Sequence, residues 1–293
     1  MDRYTQEQAT ELAEVVFGSE YHQLVSGQNN WVFENRDRIL TIPRNKRVKD
    51  YQTRVMANQL LMRYGLPVPQ IIKYSGGTDE TPEYLVVEKV RGEHSVLSKY
   101  TQKERDRIHS SAGEILRKIH NIKTEGFGRM SPKMEGENST WLEFTDSFFD
   151  ESIGRLMKTK DLYDIFGKKL EGEYLRGREK LERIKIGQLL HADFHMGNLL
   201  FNNGFVSAVL DLDLISSGDG NWDTGHYYHT FNFDRNRGVR SFREGYCDSF
   251  DKEIERLYCL MIWTRKIGSQ AISRPHALKE TIPELEKIIR GKI

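Results

Sequence analysis

Residues 186–223, IGQLLHADFHMGNLLFNNGFVSAVLDLDLISSGDGNWD, constrain the chain most, because polar and metal-capable side chains sit there between apolar runs. Residues 186–190 read as a short strand, and 191–198 as a polar loop carrying His191, Asp193, His195 and Asn198. Asn202-Asn203-Gly204 signals a tight hairpin, since Asn and Gly tolerate the positive φ values such turns require. Residues 206–212 follow as the return strand and lead into the acidic pair Asp211 and Asp213.

With Asn203 and Gly204 central in the turn, Phe201 pairs with Val206, and Asn198 falls opposite Val209. Strand alternation then puts Asp211 on the same face as Asn198. The amide oxygen and the carboxylate become diagonal neighbours, with backbones about 7 Å apart. Mg²⁺ takes oxygen ligands, usually one or two from protein and the rest from water and phosphate. The pair suits one hard cation, and Asp193 at the mouth of the same site is free to act as a base. Taken singly, Asp193 and Asp211 equally fit turn and strand-end caps.

HADFHMGN resembles the catalytic loop of the aminoglycoside phosphotransferase and choline kinase superfamily, whose motif is His, Gly, Asp, four variable residues and Asn. VLDLDLISSGDGNWD is similar to that superfamily's metal-binding strand and the GD-x-x-x-D helix start behind it. Ala192 stands where the motif has Gly. The resemblance implies a bilobal, protein-kinase-like α+β fold: a small N-lobe with an antiparallel sheet over 1–91 for the nucleotide, and a larger, mostly helical C-lobe over 92–293 for catalysis and the acceptor. It also implies that Asp193 is the catalytic base, that His191 braces the loop, that Asn198 and Asp211 hold Mg²⁺, and that Asp219 and Asp223 shape the segment behind. The cofactors implied are ATP or GTP with Mg²⁺.

Charge and composition narrow the partners. Lys plus Arg at 44 nearly cancels Asp plus Glu at 43 in 293 residues, so no overall field favours nucleic acid or an anionic membrane. Cys247 and Cys259 are too few for a disulfide framework. Apolar runs fall far short of the roughly 20 residues that span a bilayer, and the acids at positions 2, 7, 11 and 14 do not suit a signal peptide. A cytoplasmic monomer or dimer is expected.

Thr5-x-x-Gln8 opens a helix by a capping box. Residues 21–33 and 38–42 read as hairpin strands, and the loop Ser26-Gly27-Gln28-Asn29-Asn30 would offer backbone N–H groups to phosphates. Kinases of this type carry a Lys or Arg on the third strand for the α- and β-phosphates, paired to a Glu on the next helix. Here the strand position holds Thr41, and Val55 or Met56 stands near the helix position. Arg44, Lys46 or Lys49 offers a shifted charge. YLVVEKV at 84–90 is a buried strand leading to a hinge, with Glu88 and Val90 at the purine edge and Val87 behind. The nucleotide set therefore comprises Ser26, Gly27, Asn29, Asn30, Arg44, Val87, Glu88, Val90 and Leu210.

Thr101-x-x-Glu104 opens the clearest helix, ending at a structural His120. Polar, glycine-bearing residues 126–138 read as loop, and 141–153 and 156–184 as charge-rich helices, which the resemblance implies build the acceptor pocket. Trp141, Asp146, Glu151, Asp219 and Asp234 are the candidates to face the acceptor. His226 and His229 share a helix face without a partner ligand at metal spacing, which favours core or acceptor-pocket roles. Only LDLISSGDGNW separates Asp211 from Asp223 and no Ala-Pro-Glu element follows, so the acceptor is a small molecule rather than a protein. By the resemblance, an aminoglycoside-like, cationic acceptor leads. A housekeeping sugar or amino alcohol is the alternative, and Thr41 also admits a nucleotide-binding pseudokinase with a regulatory role.

Overall fold

The Thr5 hydroxyl accepts the Gln8 N–H while the Gln8 side chain accepts the Thr5 N–H. This reciprocal cap starts α1 (Gln6–Phe17). The computed structural model describes residues 4–24, 30–44, 51–78, 81–94, 99–229, 235–247 and 251–291. Strands β1 (His22–Gln23), β2 (Asn30–Glu34), β3 (Arg38–Pro43), β4 (Ile71–Ser75) and β5 (Tyr84–Glu88) form an antiparallel sheet in the order β1-β2-β3-β5-β4. Alternation along β3 decides its two faces. Leu40 and Ile42 join Ala9, Leu12 and Ala13 of α1 in one apolar cluster, while Ile39 and Thr41 face a cleft. Helix α2 (Tyr51–Arg63) packs Tyr51 and Val55 onto Leu85 and Val87 of β5.

The second lobe is mostly helical, with α3 (Gln102–His120), α4 (Trp141–Met157), α5 (Lys160–Glu182), α6 (Asn221–His229), α7 (Arg235–Tyr246), α8 (Lys252–Ser273) and α9 (Leu278–Ile289). Trp141, Leu156, Leu170, Tyr258 and Leu285 bury against one another between α4, α5, α8 and α9. Each full burial of such a side chain stabilises the fold by about 1.5–3 kcal/mol. A small sheet floors this lobe: β6 (Lys123–Thr124), β7 (Phe127–Met130), β8 (Gly136–Asn138), β9 (Gly187–Leu190) and β12 (Ser216–Gly218), in the order β6-β9-β12-β7-β8. Between β9 and β12 runs the hairpin of β10 (Leu199–Asn202) and β11 (Phe205–Val209). No helix among the described residues is long and apolar enough to cross a membrane.

Residues 126–138, read as loop, contain β7 and β8. β8 pairs with β7, and β7 pairs in turn with β12, which is remote in sequence, while glycines at φ 64 (Gly126) and 79 (Gly128) hide the strand pattern. The return strand of the hairpin also stops earlier than expected, at Val209.

Candidate active site

The loop leaving β9 is fixed from behind by one carboxylate. Asp223 Oδ2 accepts the His191 N–H at 2.8 Å and Oδ1 accepts the Ala192 N–H at 2.7 Å. His120 Nε2 lies 3.1 Å from the same carboxylate, and its Nδ1 is 2.6 Å from the Tyr246 hydroxyl. Asp223 and His120 are both buried, which matches the structural role expected of His120. Ala192 adopts φ 62, a left-handed conformation that costs an L-residue roughly 1–2 kcal/mol and that explains the Gly of the motif. His191 Nδ1 accepts the Asp193 N–H at 3.3 Å, and its Nε2 donates to the Leu210 carbonyl at 2.8 Å. The ring thus ties the loop to the residue before Asp211.

Asp193 Oδ2 accepts from Asn198 Nδ2 at 3.2 Å, and the Asp193 carbonyl accepts from the same amide at 3.0 Å. Its Oδ1 lies 3.6 Å from His195 Nε2 and 3.7 Å from His226 Nδ1. Burial pushes the Asp193 carboxyl up, but the surrounding His195, His226 and His191 outweigh it and hold the group below the usual carboxylate range. Asp193 is therefore an anion at neutral pH.

The hairpin brings Asn198 and Asp211 to one cleft wall, though not by the register expected. Leu200 faces Ala208 and Phe201 faces Val206, so Ser207 is a bulge residue. Val209 then pairs with Leu199 instead of Asn198, and Leu210 N–H donates to the Asn198 carbonyl at 2.8 Å. Asp211 itself is left-handed, φ 57 and ψ 67, which restores the shared wall that simple alternation had reached by a different count. Burial first, then the neighbouring Asp213 carboxylate, push the Asp211 carboxyl up to about 6, with Arg54 pulling against them. An amide oxygen beside a half-buried carboxylate with a second acid next to it is a donor set that fits a hard divalent cation. Among the described residues no cluster of His, Cys, Asp or Glu forms an all-protein metal cage.

Two cavities flank this loop. The first, of about 680 Å³, opens between the lobes and is lined by Asn30, Thr41, Arg54, Val87, Glu88, Val90, Asn198, Leu210 and Asp211 among others. The second, of about 610 Å³, is lined by Trp141, Phe144, Phe148, Glu151, Ala192, Trp222, His226 and Arg265 among others. Asp193 lies between them: Asn198 belongs to one lining, and Ala192 and His226 to the other.

Several expected roles change. Asp146 receives both Arg178 Nε at 2.9 Å and Nη2 at 2.6 Å, together with the Tyr174 hydroxyl at 2.8 Å; it clamps α4 to α5 and is absent from the lining of the second cavity. Asp219 is buried and accepts from the Tyr258 hydroxyl at 2.8 Å and from Asn221, so it holds the start of α6. Trp141 lines the cavity, but its indole N–H is given to Tyr258. Arg44 stacks on Trp31 with its guanidinium carbon 4.3 Å from the ring centre, outside the cleft lining. Glu88 lines the cleft as expected of a hinge residue, with its N–H donated to the Gln70 carbonyl at 2.9 Å. Ser26, Gly27, Asn29, Lys46, Lys49, Asp234 and the His229 side chain lie outside the described residues. Arg54 escaped the sequence reading, and with it the 3.3 Å pairing that gives Asp213 its partner; so did Arg129, Phe144, Phe148 and Arg265 of the second cavity.

A small sheet lobe and a helical lobe closing on a cleft, with an acid-bearing loop at its base, define the two-lobed kinase-like α+β class. The chain belongs to the phosphotransferase enzyme family, whose model matches residues 20–263. It is 22% identical over 185 residues to a probable aminoglycoside 3'-phosphotransferase of Lactococcus lactis, covering 60% of this chain and 63% of that protein. It is 23% identical over 168 residues to hygromycin-B 4-O-kinase of Escherichia coli, covering 56% and 48%. The chain thus spans less than two thirds of either curated relative. Among solved structures, a thermostable mutant of aminoglycoside phosphotransferase APH(4)-Ia superposes with a TM-score of 0.77 at 18% identity, over 96% of this chain and 98% of that one. The gentamicin complex of APH(2")-IIa superposes with a TM-score of 0.72 at 17% identity, over 97% of each.

Proposed function

We propose that the chain is a small-molecule kinase transferring the γ-phosphate of ATP or GTP to a hydroxyl of an aminoglycoside-like acceptor. The supporting observation is that the ionised Asp193 lies between a nucleotide-sized cleft and a second, aromatic-lined cavity. The acceptor oxygen bonds to the γ-phosphorus while the bond to the β,γ-bridging oxygen breaks. The nucleoside diphosphate leaves, and Asp193 takes the acceptor proton. Asn198 and Asp211 would hold Mg²⁺, which offsets phosphate charge when bound. A relative named for hygromycin B and a neighbour solved with gentamicin support an aminoglycoside-like acceptor.

One observation favours a housekeeping sugar or amino alcohol instead. Arg129, Arg265 and Lys266 line the second cavity alongside Glu137 and Glu151, whereas a polycation gains most from a surplus of acids. Turnover of ATP and GTP by the purified protein, against a panel of aminoglycosides, sugars and amino alcohols, tests the proposal. Asp193→Ala is expected to lower turnover about a hundredfold or more; an unchanged rate would refute the role of Asp193. Raised drug tolerance of cells expressing the chain separates the two acceptor classes.

A further inference from the structure

We infer that Arg54 of α2 supplies the phosphate-facing positive charge that β3 lacks. The inference rests on reading the interlobe cleft as a nucleotide site. Thr41, the cleft-facing residue of β3 where a strand cation would stand, directs its hydroxyl to the Leu85 carbonyl at 3.4 Å and carries no charge. Among the described residues lining the cleft, Arg54 and Lys89 are the Lys and Arg side chains. Lys89 follows β5 at the hinge end and pairs with Glu34 at 2.9 Å. Arg54 lines the same cleft as Asn198 and Asp211, at the end where phosphates would meet a metal, and reaches the Asp213 carboxylate two residues beyond Asp211.

The geometry around Arg54 is built rather than incidental. Its side chain is 16% exposed, its guanidinium carbon lies 5.2 Å from the centre of the Tyr51 ring, and its Nη1 is 3.3 Å from Asp213 Oδ1. Asp213 Oδ2 accepts from Asn30 Nδ2 at 3.2 Å, and Asn30 Oδ1 accepts from the Tyr51 hydroxyl at 2.6 Å. One helix, one strand and the turn after Asp211 thus converge on a single cation. A strand Lys held by a helix Glu is replaced here by a helix Arg held by a turn Asp, so the pair survives with its two ends moved. The ion pair with Asp213 runs through Nη1, and a guanidinium carries five N–H donors in a planar fork suited to phosphate oxygens. Arg54 also offsets the Asp211 and Asp213 carboxylates, which would otherwise repel a polyphosphate.

Calorimetric affinities for AMP-PNP or GMP-PNP with Mg²⁺, and for the matching nucleoside, provide the test. Arg54→Ala is expected to weaken the triphosphate analogue about tenfold, equivalent to about 1.4 kcal/mol, while leaving nucleoside affinity within a factor of two of wild type. Thr41→Lys in the Arg54→Ala background is expected to recover part of the loss. An equal loss for nucleoside and triphosphate analogue would make Arg54 merely structural, and no loss for either would also overturn the inference. Should Arg54→Ala fail to fold because Asp213 is left unpaired, Arg54→Met with Asp213→Asn removes both charges and reads the same ratio. Wild-type protein that binds neither analogue would refute the nucleotide reading of the cleft itself, a result distinct from an unselective Arg54 variant.

Discussion

Asp223 bears on the active loop without facing either cavity. Both its oxygens are engaged by the 191 and 192 amides and by His120, so truncation leaves buried donors unpaired, at about 1–3 kcal/mol each. Asp223→Ala is expected to lose ~3 kcal/mol or more in denaturant titration, and Asp223→Asn less; a loss under 1 kcal/mol would contradict the bracing role. The loop was legible because His191, Asp193 and Asn198 lie within eight positions and carry their chemistry in their identities. Arg54 was not, because its partner Asp213 stands 159 positions away and nothing local to α2 marks it. The Asp211 backbone was not legible either: a left-handed residue ends the regular alternation on which the register argument relied.

At the level of elements, the helices read well from their caps, as Thr5/Gln8 and Thr101/Glu104 show. Short polar strands such as β8 and β12 did not, since Gly136–Asn138 and Ser216–Gly218 lack the apolar alternation that announces a strand. The link between α4 and α5 yields a pH prediction. The Arg178 fork holds the Asp146 carboxyl below its usual value, partial burial opposing and the Tyr174 hydroxyl assisting. A depressed folded pKa contributes stability that is present above the unfolded value of about 3.9 and lost as pH falls through the folded one. Asp146→Asn is therefore expected to melt below wild type at neutral pH, the gap narrowing below about pH 4. Melting curves of both proteins across that range check it; a gap that stays constant into the acid range would assign the clamp's worth to something other than ionisation.

Across the whole molecule, the two lobes meet along the cleft that holds Thr41 and Arg54 on one side and Asn198 and Asp211 on the other. A ligand bound there stitches the lobes together, and at about 100 times its Kd it should add about 2.7 kcal/mol to stability. AMP-PNP or GMP-PNP with Mg²⁺ is expected to raise Tm by a few degrees for a chain of this size. A chelator should remove most of the rise, and Asp211→Asn should lose the metal-dependent part. A rise indifferent to chelator would argue against Asn198 and Asp211 as cation ligands.

The backward-coiled backbone of Asp211, φ 57, narrows the substitutions open to this position. Asn and Gly visit that conformation at little cost, while branched or bulky residues do so as outliers. A descendant that loses the Asp211 carboxylate while keeping its architecture should pass through Asn or Gly there, and a saturation library selected for folding alone would reveal that bottleneck.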